Sequence, residues 1–153
     1  MKFYDYLIEK AKKDGIQKFV VGGVITNSLN QVLILTRKTD DFMGGIKELP
    51  SGNLESEETI YNGLKREIKE ETNLDLKNVK SYINSFDYLS SSGKKARQFN
   101  FLVYVNNNFD IKLTEHDKYD WISFDEISSQ KEITDEVKNT LQIAHFNHFI
   151  NWN

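Results

Sequence analysis

Three glutamates lie three and four residues apart in the segment REIKEETN, at Glu67, Glu70 and Glu71. On a helix this spacing places the carboxylates beside one another, where like charges repel. Either they form a solvated acidic face, as charge runs usually do, or a cation is bound among them. Sites built from carboxylates suit Mg²⁺ or Mn²⁺, and Mg²⁺ typically bridges a protein carboxylate and substrate phosphates. The segment therefore suggests metal-dependent phosphate chemistry.

The position of the acids around the predicted helix favours the metal site. At 100° per residue, Ile60, Leu64 and Ile68 form an apolar stripe. Glu67 and Glu71 fall on the same side of the helix as that stripe. Carboxylates on a core-facing side are costly unless they are paired or liganded, and no lysine lies on that side to pair with them. A divalent cation is the economical explanation, with the solvated face as the alternative.

The composition limits the class of protein. The chain has 153 residues, of which 39% are hydrophobic and 28% charged, with a net charge of -3. This profile is typical of one soluble globular domain, and the acidic balance gives no general attraction to nucleic acids or anionic membranes. No apolar run is long enough to span a membrane, and the N-terminus does not resemble a signal peptide. We therefore expect a cytoplasmic protein with neither a nucleic-acid polymer nor a membrane as partner.

The rest of the chain predicts strands and a few helices. Four apolar runs rich in β-branched residues predict strands: 18–27, 31–38, 79–89 and 96–105. The first two are separated by three residues and are expected to pair. Amphipathic helices are predicted over residues 3–13 and 134–149, the second with Thr134 as N-cap. Residues 39–58 are glycine-rich and predict a long loop, which is usually functional or disordered. The sum is a layered α+β or α/β domain.

Residues 52–74, GNLESEETIYNGLKREIKEETNL, resemble the Nudix box G-x5-E-x7-R-E-U-x-E-E-x-G-U, in which U is aliphatic. Eight of the nine defined positions match, and Asn73 replaces the second glycine. Asparagine is the next best residue for the left-handed conformation expected there. The flanking segments LILTRK, ELPSG and EHDKYDWISFDEI are also similar to the family, so the resemblance covers roughly residues 17–149. It is a resemblance to the Nudix hydrolases of MutT type.

The resemblance implies a fold and a domain organisation. Residues 1–153 would form a single Nudix domain of α+β class, with a mixed β-sheet packed between helices in an α/β/α sandwich-like arrangement. Residues 1–15 would be an N-terminal helical extension of it.

The resemblance also implies roles for the acidic residues. The ligands of Mg²⁺ or Mn²⁺ would be Glu67, Glu70, Glu71 and, downstream of the box, Glu115. An exposed loop acid is the alternative for Glu115. Arg66 would orient the glutamates through hydrogen bonds. Glu67 would be the base or would position the water, with Glu58 and Glu115 as alternative bases.

Three further positions are expected to bind substrate. Gly52 lets the backbone approach a metal or a phosphate closely, although a turn glycine is equally common. Arg37 and Lys47 flank the loop and could hold phosphate oxygens, whereas exposed surface cations are the commoner reading. Four aromatic residues are candidates for stacking on a base or for the core: Phe42, Phe86, Tyr88 and Phe99.

The implied reaction is hydrolysis of a diphosphate bond in a nucleoside triphosphate or a related nucleoside diphosphate derivative. A small nucleotide would be the substrate, and the protein would be a monomer or a homodimer. Two alternatives stay open, a dinucleoside polyphosphate hydrolase and a catalytically silent module that senses a nucleotide. For the first, Tyr88 lies close to the expected tyrosine position but out of register. A prenyl diphosphate isomerase is disfavoured because the chain has no cysteine.

Overall fold

The structure is a computed structural model that describes residues 2–106 and 109–152. The described residues form four helices and seven strands, which are α1 Lys2–Lys13, β1 Lys18–Ile25, β2 Gln31–Arg37, β3 Lys47–Glu48, β4 Ser51–Asn53, α2 Ile60–Thr72, β5 Leu76–Leu89, β6 Lys95–Val105, β7 His116–Ser123, α3 Phe124–Ile127 and α4 Asp135–Trp152. None of the helices in this described part combines the length and the hydrophobicity needed to cross a membrane.

The strands form two sheets. One is mixed, in the order β4-β1-β6-β5, with β1 parallel to β6 and its other pairs antiparallel. The other is antiparallel, in the order β3-β2-β7. The predicted mixed sheet is therefore accompanied by a second sheet, and the predicted α+β class is confirmed.

The expected pairing of the first two strands is wrong beyond a single bridge, Thr26 with Val32. Asn27 shapes the turn, since its Oδ1 accepts hydrogen bonds from the backbone N–H groups of Leu29 and Gln31. After this turn β1 and β2 separate into different sheets. β1 instead pairs over its whole length with β6, a parallel strand that is remote in sequence.

Alternate residues of β1 and β2 face opposite hydrophobic clusters, as the two-residue period of a strand requires. Val21 and Leu33 pack with α1 and α2, whereas Val24 and Val32 pack with α4. Helices therefore cover both faces of the strand layer. This arrangement explains why both strands are continuous apolar runs rather than alternating ones.

Helix α1 contributes directly to the core. Leu7 and Ala11 are buried in the cluster shared with α2, and the Tyr4 ring meets the Phe101 ring with centroids 5.3 Å apart. Just beyond the helix, Asp14 accepts a hydrogen bond from Arg97 Nη1 at 2.9 Å. These described residues of the predicted extension are thus packed against the sheet.

Helix α4 starts where the sequence predicted. The backbone N–H of Val137 donates to Thr134 Oγ1 at 3.3 Å, which is the interaction expected of an N-cap residue. The helix continues to Trp152, three residues past the predicted end.

The predicted loop over residues 39–58 is not wholly irregular, because it contains β3 and β4. Strand β4 pairs with β1, with Gly52 opposite Val21. Just before it, the carbonyl of Pro50 accepts a hydrogen bond from the N–H of Gly23 at 3.0 Å. These contacts hold the Ser51–Asn53 backbone beside helix α2.

Candidate active site

Helix α2 carries the acidic segment, and its ends are set locally. Thr59 Oγ1 accepts a hydrogen bond from the N–H of Asn62, which caps the start. Asn73 ends the helix in the left-handed region, with φ 69°, and its N–H donates to the carbonyl of Lys69. Asparagine therefore supplies the conformation expected of the box glycine that it replaces.

The three glutamates differ in burial. Glu71 is buried, with 7% of its surface exposed, Glu67 is partly buried, and Glu70 is exposed. Glu67 and Glu71 thus lie on the core-facing side of α2, as the periodicity indicated. The alternative of a wholly solvated acidic face does not describe this helix.

Arg66 is the centre of a hydrogen-bond network among the acids. Its Nε and Nη2 donate to the two oxygens of Glu58 at 2.7 and 2.8 Å. Its Nη1 donates to Glu67 Oε1 at 2.7 Å and to Glu70 Oε2 at 3.2 Å. Nη2 also reaches the carbonyl of Asn53 at 2.9 Å. The sequence-based expectation considered only lysine as a partner for the core-facing acids. Arg66 pairs with Glu67 because its long side chain reaches around the helix.

Among the described residues, no lysine or arginine forms an ion pair with Glu71. Its Oε1 accepts a hydrogen bond from the backbone N–H of Ser51 at 2.7 Å. Burial, together with the negative charges of Glu48, Glu67 and Glu115, raises the pKa of Glu71 to about 9. Burial likewise raises the pKa of Glu67. Without a bound cation, the burial and crowding of these carboxyls therefore disfavour their ionised forms.

The pKa of Glu58 shifts in the opposite direction, downward. Its two hydrogen bonds from Arg66 lower the pKa of its carboxyl to about 2. Both of its oxygens are occupied, and Oε1 also accepts a hydrogen bond from the N–H of Glu55. Glu58 is thus placed as the anchor of Arg66.

Gly52 lies directly against the acidic helix. A Cβ atom at this position would overlap the Glu67 carboxylate. The backbone of β4 can approach Glu67 this closely only because residue 52 has no side chain.

The carboxylates fit a hard divalent cation by type and charge. Arg66 holds one oxygen of Glu67 and one of Glu70, which leaves Glu67 Oε2 and Glu70 Oε1 for a ligand. Within residues 2–106 and 109–152, however, no three acidic or histidine side chains are already arranged as ligands of one ion. Binding an ion would require the glutamate side chains to turn toward it.

Two cavities adjoin β4. The first, of about 290 Å³, has a polar lining that includes Arg37, Gly52, Glu71 and Glu115. The second, of about 230 Å³, is lined in part by Lys47, whose Nζ donates to Gln130 Oε1 at 3.0 Å. Five residues line both cavities: Arg37, Phe42, Glu48, Ser51 and Tyr88. The predicted substrate-binding residues are therefore divided between two adjoining spaces.

The aromatic candidates separate in the structure. Phe42, Phe86 and Tyr88 line the second cavity, and Tyr88 is 41% exposed. Phe99 is 1% exposed and belongs to the core. The sequence could not separate them, because strand alternation does not show which face of a sheet is covered.

The site residues expected from the sequence did not include Glu48 or His116. Glu48 lay in the predicted loop, but it forms part of β3 and lines both cavities. His116 is buried on β7, and its Nε2 lies 2.9 Å from Glu48 Oε2. The signal that could have revealed Glu48 was its place immediately before the LPSG segment.

The family model of the NUDIX domain matches residues 17–142. This chain belongs to the Nudix family. The family expected from the sequence is thereby confirmed, and this membership supports the expected enzyme class, a Nudix pyrophosphohydrolase. Nudix hydrolases act on nucleoside diphosphate derivatives, which are small molecules, and generally need a divalent metal.

A curated relative is an 8-oxo-dGTP diphosphatase of Proteus vulgaris, 40% identical over 57 residues. The match covers 37% of this chain and 51% of the relative, so this Nudix protein spans about half the length of that relative.

Solved structures share the fold at lower sequence identity. The MutT protein of Methanosarcina mazei Go1 has a TM-score of 0.75 and 24% identity, and the match covers 85% of this chain and 94% of that one. An Ap4A hydrolase of C. elegans has a TM-score of 0.70 and 20% identity, covering 90% and 100%. The E. coli dihydroneopterin triphosphate pyrophosphohydrolase has a TM-score of 0.62 and 20% identity, covering 83% and 95%. The names of the last two proteins cite different substrates, so the shared fold does not identify the substrate of this chain.

Proposed function

We propose that this Nudix protein hydrolyses a nucleoside triphosphate, or a closely related nucleoside diphosphate derivative, to a nucleoside monophosphate and pyrophosphate or the corresponding phosphate. The observation that carries the proposal is the meeting of two unlike cavities. The first has a mainly polar lining that includes the carboxylates of Glu71 and Glu115. The second has a mainly apolar lining, in which the ring of Phe86 joins the rings of Phe42 and Tyr88 that both cavities share. A nucleotide is the small molecule whose two ends need these two environments.

The aromatic cavity suits a nucleobase, because every base offers a face on which aromatic rings stack. The carboxylate cavity suits a phosphate chain that arrives with a metal ion. Each cavity is small for a whole nucleotide, whereas both together reach the usual size of a small-molecule site. The name of the Proteus vulgaris relative, an 8-oxo-dGTP diphosphatase, supports a triphosphate over the other derivatives.

We assign the metal as Mg²⁺, with Mn²⁺ as substitute, held by Glu67, Glu70, Glu71 and Glu115. When bound there, such an ion would neutralise phosphate charge and lower the pKa of a water molecule. The Ser51 N–H fixes the orientation of Glu71 for this role.

The network around Arg66 supports Glu67 as the catalytic base. Arg66 holds Glu67 Oε1, so that Oε2 stays available to take a proton from the attacking water. Glu58 is less suited to that role, because Arg66 occupies both of its oxygens. Glu115 remains the alternative, since it lines the polar cavity together with Glu71.

A second candidate, a dinucleoside polyphosphate hydrolase, is favoured by the position of Tyr88. This partly exposed ring lines both cavities and could stack on a second base beyond the phosphates. The fold shared with the C. elegans Ap4A hydrolase is compatible with this reading.

The experiment is a substrate panel with Mg²⁺, Mn²⁺ or EDTA. It comprises canonical and oxidised nucleoside triphosphates, dinucleoside polyphosphates, nucleotide sugars and ADP-ribose, with products separated by chromatography. We expect metal-dependent release of pyrophosphate from a triphosphate, loss of turnover in Glu71→Gln and normal turnover in the control Glu57→Gln, which changes an exposed acid outside the site. Preference for a dinucleoside polyphosphate would select the second candidate. Tight binding without turnover of any compound would select a silent sensing module.

The same proposal includes a cytoplasmic protein that is a monomer or a homodimer and that acts on free nucleotides rather than on a nucleic-acid polymer. Light scattering after size-exclusion chromatography measures the oligomeric state.

A further inference from the structure

Three neighbouring strands each place one polar side chain in the lining of the first cavity, and two of these side chains also line the second. Arg37 ends β2, Glu48 ends β3 and His116 begins β7. Arg37 and His116 are partners in the β2–β7 ladder, directly after a register shift between Thr36 and Arg37. Such irregularities re-aim side chains and are common beside active sites.

The three side chains form a continuous hydrogen-bond chain. His116 Nε2–H donates to Glu48 Oε2 at 2.9 Å, and Arg37 Nε donates to Glu48 Oε1 at 3.0 Å. Arg37 Nη1 then donates to the carbonyl of Phe42 at 2.9 Å. Both oxygens of Glu48 are therefore engaged, and one of them holds the arginine.

The chain leaves one group of Arg37 for a ligand. Within residues 2–106 and 109–152, Nη2 has no hydrogen-bond partner, and the side chain lines both cavities. A guanidinium held at Nε and Nη1 cannot swing freely, so its remaining donor faces a fixed place. An oriented guanidinium is well suited to a phosphate oxygen.

Burying the polar ring of His116 costs free energy. Its side chain is 5% exposed, and among the described residues its Nδ1 is buried without a hydrogen-bond partner. An apolar ring at this position would avoid burying an unpaired nitrogen. Within the described part of the chain, the ring has one polar interaction, with Glu48.

We propose that His116 is a positioning residue that acts through Glu48 to fix Arg37 for binding a substrate phosphate where the phosphate chain meets the nucleoside. The proposal rests on the proposed function, because it takes a nucleotide as the ligand. In the proposed arrangement, His116 itself makes no contact with the substrate.

The test is a double-mutant cycle with a conservative rescue. His116→Phe keeps a ring of similar size and removes the donor, and we expect kcat/KM to fall about 10- to 100-fold, mainly through KM. Arg37→Lys should cause a similar loss, and the double variant should lose no more than about threefold beyond either single variant. His116→Gln, whose amide nitrogen can reach Glu48, should recover most of the activity. A purely structural role predicts instead that the two losses multiply and that the Gln variant gives no rescue, which would overturn the proposal.

If His116→Phe does not fold, Glu48→Gln takes its place in the cycle, because a neutral amide cannot accept from both neighbours as the carboxylate does. A second readout does not need turnover. The dissociation constant for an α,β-methylene nucleoside triphosphate should rise in His116→Phe and in Arg37→Lys alike. If the wild type binds this analogue but cleaves no substrate, the proposed function fails while the binding cycle still decides the role of His116. If the wild type neither binds nor cleaves, both proposals are overturned.

Discussion

Substitution of Gly52 by alanine is the sharpest test of how the strand β4 and helix α2 shape the site. The added methyl group would overlap the carboxylate of Glu67. The φ angle of Gly52 is not positive, so the alanine backbone itself is not strained and the effect comes from lack of space alone. Either Glu67 must leave its place beside Arg66, or the strand must move away from the helix.

Each response predicts a change that can be measured, one in stability and one in activity. Overpacking of this kind costs about 1–3 kcal/mol, which for a chain of this length corresponds to a melting temperature lower by about 2–12 °C. Displacing a positioned base costs about 100-fold or more in kcat. We therefore expect Gly52→Ala to fold with lowered stability and to lose activity about as strongly as Glu67→Gln does.

The assay is a cycle with Glu67→Ala, which removes the group that the methyl would meet. In that background Gly52→Ala should no longer lower the melting temperature, and should cause no further loss of the residual activity. Calorimetry and steady-state kinetics on the four proteins measure this directly. An equal drop in melting temperature in both backgrounds would refute the steric explanation.

Three further changes have defined outcomes. Arg66→Lys replaces the fork that joins Glu58 and Glu67 by a single ammonium group, so kcat should fall about tenfold or more in steady-state kinetics; an unchanged kcat would contradict the orienting role. The pKa of Glu58 is lowered to about 2 in the folded protein, so its stabilising contribution is present above its ordinary value near 4.5 and is lost as the pH falls toward 2. The difference in unfolding free energy between wild type and Glu58→Gln, measured in urea, should therefore shrink from pH 7 to pH 3, and a constant difference would count against the Arg66 pair. Tyr88→Ala and Phe42→Ala should each raise KM about tenfold with little change in kcat. The control Phe146→Ala, which alters an exposed ring outside both cavities, should change neither constant. A lowered kcat with unchanged KM in the first two variants would show that these rings do not bind the base.

The helix that carries the acids was predictable because its signals are local. The cap at Thr59 and the left-handed Asn73 lie at its two ends, and the apolar stripe gives its orientation within a few turns of chain. The same information placed Glu71 on the buried side. Short-range periodicity therefore predicted the part of the site that one element carries.

The remainder of the site depends on contacts between segments remote in sequence. Glu48 and His116 are 68 residues apart and meet only because β3 and β7 flank β2. Helical angles alone do not show that Arg66 pairs with Glu67, since they locate its Cα but not the reach of its side chain. The separation of β1 from β2 has the same origin, because the partner of β1 is the distant β6.

The central claim is that the carboxylates of this site bind a divalent ion and thereby support cleavage of a nucleoside triphosphate to a monophosphate and pyrophosphate. The most direct measurement is the release of pyrophosphate and of orthophosphate from the best triphosphate of the panel, by the wild type and by Glu71→Gln, with Mg²⁺ and with EDTA. The account predicts pyrophosphate as the product, formed only with Mg²⁺ and only by the wild type. Release of orthophosphate in its place, or full activity of the wild type in EDTA or of Glu71→Gln in Mg²⁺, would contradict it.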